Sequence, residues 1–186
     1  MPAPTPEAQL VFLTKLQRLF AEGDFTATYK YALLMVLAEL AVAGGRDDGA
    51  EMTLRMQDIA AGFVRLYWQQ ACPYSSATPG TQPKVLMQNA GKQAAVITAI
   101  LKFRNQHPSA TIQSAVRCDT YASLLREVAR TVSDQPVRYL QNIGGHSDSF
   151  LFETPRDLMH NFVLAHPGCN RSKSDTLAAR TLLRAH

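Results

Sequence analysis

The chain has 186 residues, 46% of them hydrophobic and 18% charged, which is long enough to bury a core and too apolar for a disordered chain. A formal charge of +4, with an isoelectric point near 9.1, permits an anionic partner but is too mild to demonstrate one. Three widely spaced cysteines, Cys72, Cys118 and Cys169, argue against a disulfide framework and for a reducing compartment. With no secretory signal and no apolar run of membrane length, a cytoplasmic location without a membrane partner is expected.

Leu10, Leu13, Leu16, Leu19 and Phe20 recur at helical spacing between Pro6 and Glu22, and Gly23 supplies a stop, which predicts a first helix. A second starts at Thr26 or Thr28 and runs through Ala43; it is apolar nearly all round and is expected at the centre of the core. Glu51 to Leu54 reads as a short extended piece, and Arg55 to about Ala71 as a third helix with Ile59, Phe63, Leu66 and Tyr67 on one face. Trp68, Tyr67 and Tyr74 are expected at the core and its rim. The next stretch, PYSSATPGTQP, is a loop by its three prolines and its Pro-Gly pair. A fourth helix is predicted over Lys92–Arg104 and a fifth over Thr120–Val132.

The pattern then changes. Val137–Leu140 and Phe150–Phe152 read as two short strands about an Asn142-Ile143-Gly144-Gly145 turn. The chain is therefore expected to be mainly α, with a helical body of about five helices over residues 1–135 and a small tail over 136–186. From Pro155 onward five basic and two acidic residues give a net +3, and four of the five histidines follow residue 145. The tail segment HNFVLAHPGCNRSKSDTLAARTLLRAH predicts a strand at Phe162–Leu164, a Pro-Gly turn and a helix over Ser172–Leu183. A strand-turn-helix unit can bring an Asn from the strand and a polar side chain from the first helical turn to one place, where a cation and a phosphate could meet.

This segment resembles the C-terminal half of the ββα-metal site of HNH endonucleases, in which an Asn and a short apolar strand precede Cys-Asn-x-x-Lys. Weaker similarity to the helical region before that site in bacterial endonuclease-like proteins lies in TATYKYALLMVLAELAV, IAAGFVRLYWQQACPY and LQNIGG followed by FLFE. The resemblance implies metal-dependent hydrolysis of DNA phosphodiesters, with Mg²⁺ or another divalent cation as cofactor. In that family a His on the first strand activates water, the middle Asn orients that His, and a last His or Asn helps to hold the cation. By matching position Asn161 is the orienting residue and Asn170 the metal-side residue, while His166 and Cys169 occupy the second of two zinc-binding pairs. The first pair is absent, so a complete structural zinc site is not expected. The Asp-His run of the first strand is absent too. His146, at about the family's distance from Asn161, and His160, beside it, are the candidate bases.

Plainer readings stand next to these. His166 and Cys169 also suit a turn packed beneath the last helix, and Asn161 and Asn170 suit local backbone capping. His146 suits an exposed loop. Arg171, Lys173 and Arg180 are either phosphate contacts on DNA or a solvated helix face. Two functions are thus expected of the chain: an HNH-type endonuclease, or a non-catalytic helical module that binds DNA or protein and retains a nuclease-derived tail.

Overall fold

The structure is a computed structural model and describes residues 5–22, 28–44, 52–74, 83–87, 92–140 and 161–164. In chain order these contain α1 (Pro6–Glu22), α2 (Tyr29–Gly44), β1 (Met52–Arg55), α3 (Met56–Tyr67), α4 (Ala95–Gln106), α5 (Ile112–Ala115), α6 (Tyr121–Val132) and β2 (Asn161–Leu164). The protein is mainly helical. None of the described helices is long and apolar enough to cross a membrane.

The core forms where three apolar stripes meet. Met56, Ile59, Ala60, Phe63, Val64 and Tyr67 recur at three- and four-residue intervals and line the buried face of α3. Val96, Ile97, Ile100 and Phe103 do the same on α4, and Leu124, Val128 and Val132 on α6. Trp68 and Tyr67 are buried while Tyr74 lies at the exposed rim, as their sequence context suggests. Helix α2 adds Ala32, Leu33, Val36 and Leu37. It approaches α3 so closely that a Cβ on Gly62 would lie 2.6 and 2.7 Å from the two Val36 methyl carbons. Glycine is what that crossing requires. The second helix, apolar nearly all round, thus enters the core as expected along one face, while Tyr31, Met35 and Val42 on it face outward.

Two further corrections concern helical turns. A short helix, α5, interrupts the stretch between α4 and α6; Thr111 and Ser114 close a reciprocal capping box, with the Ser114 amide 3.2 Å from Thr111 Oγ1 and the Thr111 amide 2.9 Å from Ser114 Oγ. Val137–Leu140, expected as a strand, instead continues α6 through a π-helical turn at Ser133–Val137. Pro136 in that turn has no N–H to give to the carbonyl four residues earlier, and a widened turn accommodates the missing bond. Pro136 and Leu140 are both buried, so core packing keeps this segment helical.

Candidate functional site

The expected strand at Phe162–Leu164 is present as β2, and its partner comes from the helical body. β1 and β2 pair antiparallel in the register Met52 with Leu164, Thr53 with Val163, Leu54 with Phe162 and Arg55 with Asn161. In β1 the side chains alternate, as a pleated strand demands: Leu54 is buried, Met52 half-buried, Thr53 and Arg55 exposed. Met52 is held against the end of α2, where a Cβ on Gly44 would lie 2.7 Å from its terminal methyl carbon.

Arg55 is both the last residue of β1 and the residue that caps α3. Its backbone is extended (φ −79°, ψ 137°), and its side chain makes no capping hydrogen bond to the helix. The exposed guanidinium thus stands at the point where β1, β2 and the start of α3 meet, with Asp58 in the first helical turn. By periodicity Arg55 falls at the start of the third helix, and its sequence context marks it for no function. No local signal could have paired it with Asn161, since the partner lies more than a hundred positions away and register is decided by burial of the whole strand.

Of the residues singled out in the tail, the structure describes the backbone of Asn161 alone. His146, His160, His166, Cys169, Asn170, Arg171, Lys173 and Arg180 lie outside the described residues, as do the expected strand Phe150–Phe152 and the expected last helix.

The remaining polar chemistry of the described residues is internal. Cys72 and Cys118 are free thiols. Arg104 donates to Cys72 Sγ at 3.1 Å while its guanidinium lies 5.2 Å from the Trp68 ring centre, and Cys118 donates to the Ser114 carbonyl at 3.7 Å. His107 Nε2 is 2.7 Å from Thr120 Oγ1, with its ring 4.8 Å from that of Phe103. Two tyrosine hydroxyls enter the core edge together: Tyr29 accepts from the Val96 amide at 2.9 Å, and Tyr67 shares a 2.7 Å hydrogen bond with Thr28. Burial pushes Tyr29 up to about 12, opposed by the Val96 hydrogen bond, and also raises Tyr67, opposed by Thr28. Among the described residues no three His, Cys, Asp or Glu side chains gather as a metal site would require.

These features define a mainly helical protein with a two-stranded antiparallel ribbon joining its tail to its body. The chain belongs to the family described as "Domain of unknown function (DUF8808)", whose model matches residues 11–178 and so takes in both the helices and the ribbon. No curated protein and no solved structure matches the chain.

Proposed function

We propose that this is a cytoplasmic DNA-binding protein with a tail derived from an HNH nuclease, which holds the phosphodiester backbone without cutting it. The observation that carries this reading is the pairing of Arg55 with Asn161. In an HNH site the strand beside the orienting Asn brings the histidine that activates water. Here that neighbour is Met52-Thr53-Leu54-Arg55, which holds no imidazole and no carboxylate and ends in an exposed cation. A guanidinium suits a phosphate oxygen and cannot act as a base at neutral pH. Arg171, Lys173 and Arg180 extend the same positive character along the tail. The free thiols of Cys72 and Cys118 agree with a reducing compartment.

The spacing of Asn161, Cys169, Asn170 and Lys173 favours a second reading, in which cleavage persists. His146 or His160 would then serve as base, and Asp148 or Asp157 with Asn170 would hold Mg²⁺ or another divalent cation.

Supercoiled plasmid incubated with the protein in Mg²⁺, Mn²⁺ or EDTA separates the two readings. The binding reading expects retardation of DNA that survives EDTA and weakens steeply with salt, with no nicking. Metal-dependent nicking that is lost in an Asn161→Ala, Asn170→Ala double variant would establish the second reading. The absence of both retardation at low salt and nicking in either metal would remove both.

A further inference from the structure

Leu124, Val128, Val132, Pro136 and Leu140 recur at every fourth position from α6 through its π-helical turn, and all of them are buried. At about 100° per residue a strict four-residue repeat drifts by about 40° at each step of an α-helix, which by Leu140 would amount to about 160°. The wider turn at Ser133–Val137 advances fewer degrees per residue and takes back part of that drift, so Leu140 stays on the core side.

The same turn aligns a second row. Positions two residues after each buried one lie about 200° around the helix, and they hold Arg126, Arg130, Asp134 and Arg138, all exposed. Arg126 and Arg130 are one turn apart, about 6 Å along the axis, on the face opposite the core. Glu127, the carboxylate of α6, is turned aside to Lys102 of α4 at 3.4 Å. Arg126 donates to Ser123 Oγ at 2.8 Å. Among the described residues no carboxylate lies within ion-pair distance of Arg126, Arg130 or Arg138. Cations on successive turns of a helix repel one another, and an anion laid along them relieves that repulsion. All three are arginines, whose planar fork can meet two phosphate oxygens at once.

This row leads toward the ribbon. The Phe103 ring of α4 lies 5.9 Å from that of Trp68, the residue after α3, and 6.2 Å from that of Tyr121, the first residue of α6. Helices α3 and α6 pack along each other, so with those two ends together α6 runs back along α3. Its later turns, with Arg138, therefore lie toward the end of α3 that begins at Arg55. From Arg126 to Arg138 the row covers about 18 Å. A single small anion would meet one or two of its members, whereas a duplex presents a phosphate charge about every 1.7 Å of its length.

We propose that a DNA backbone held at the ribbon continues along α6, with Arg126, Arg130 and Arg138 as its contacts on the helical body; this rests on the DNA-binding reading above and extends it. Fluorescence anisotropy of the full chain on a labelled duplex, in EDTA and at several salt concentrations, is the test. An Arg126→Gln, Arg130→Gln double variant is expected to bind at least about tenfold more weakly at low salt. Its salt dependence should be shallower by nearly two contacts, each worth about 0.9 in the slope of log K against log salt. Arg138→Gln should lose about one contact. Asp134→Asn removes the opposing charge from the row and is expected to bind several-fold more tightly, a change that no loss of folding could imitate. Lys84→Gln, which removes an exposed cation outside the row, is the control for net charge and should bind as the wild type does.

Every substituted side chain is exposed, so urea midpoints should stay close to that of the wild type. Wild-type affinity in the double variant would overturn the proposal and leave the DNA-binding reading standing. So would a loss as large in Lys84→Gln as in the double variant, or weaker binding by Asp134→Asn. A wild-type protein that does not bind the duplex at low salt would overturn both.

Discussion

The Tyr29 hydroxyl accepts a hydrogen bond from the Val96 amide, 2.9 Å away, and so supplies α4 with a cap that its own N-terminal flank lacks. Ala94, at the capping position, has no side chain for the purpose, and the first amides of a helix have no partner within it. A residue of α2 thereby fixes where α4 begins. Its ring is wedged edge-on against Phe63 and Tyr67, with ring centres 6.0 and 5.5 Å away. Tyr29→Phe keeps this packing and removes only the acceptor, leaving a partly buried N–H unpaired. It is expected to lower stability by about 1–2 kcal/mol, seen as a lower urea midpoint with an unchanged slope. An unmoved midpoint would mean that water replaces the hydroxyl and that α4 does not depend on α2 for its cap.

The same two tyrosines predict an alkaline limit. Burial favours the neutral phenol in the folded state, holding Tyr29 up to about 12 from an ordinary value of 10.0 and raising Tyr67 in the same sense. An acid whose folded pKa is raised contributes nothing below its unfolded pKa; above that value the unfolded chain ionises first and stability falls with pH. Urea midpoints are therefore expected to be flat up to about pH 10 and to decline toward pH 12. In Tyr29→Phe the decline should be shallower from its lower start. A decline as steep in the variant as in the wild type would assign the alkaline loss to other groups.

Gly62 and Val36 form a contact that can be tested by pairing substitutions. A methyl at position 62 would sit 2.6 to 2.7 Å from both Val36 methyl carbons, well inside van der Waals contact. Gly62→Ala improves helix propensity by a little under about 1 kcal/mol, but overpacking costs typically about 1–3 kcal/mol, so net destabilisation is expected. Val36→Ala alone leaves a small cavity. The double variant should be more stable than the sum of the two singles, with a coupling above about 0.5 kcal/mol measured by denaturation. Additive effects would mean that α2 and α3 separate to make room.

The parts of this fold that were legible in the sequence are those set by local periodicity. Leu10, Leu13, Leu16 and Leu19 give α1 its limits, and the spacing of Leu124 and Val128 gives α6 its limits within one residue. Val137 and Leu140 misled, because over four residues strand and helix periods are hard to tell apart; in the fold the segment is helical, with Pro136 and Leu140 buried and Val137 packed against the core. Val42, apolar in sequence, is exposed, since residue type cannot say which side of a helix meets the core. At the candidate site the strand following His160 was legible from Phe162-Val163-Leu164, but its partner was not. Antiparallel pairing between distant segments leaves no mark on either one alone.

That partner makes the proposed function testable at a position outside the tail. Arg55 is exposed and makes no helix-capping bond, so Arg55→Ala is expected to change stability by less than about 0.5 kcal/mol. If the ribbon faces a phosphate backbone, the same substitution should weaken DNA binding several-fold for every sequence tested. It should also reduce the steepness of the salt dependence by about one phosphate contact. Arg55→Lys should retain most of the affinity, because a non-specific phosphate contact asks first for charge, and Arg55→Glu should lose more than Arg55→Ala through repulsion. Thr53→Ala, on the same exposed side of β1, is the control and should bind as the wild type does. Fluorescence anisotropy on a labelled duplex at several salt concentrations in EDTA measures all four variants. Undiminished binding by Arg55→Glu would take β1 off the interface and leave Arg171, Lys173 and Arg180 as the remaining cations through which the tail could hold DNA.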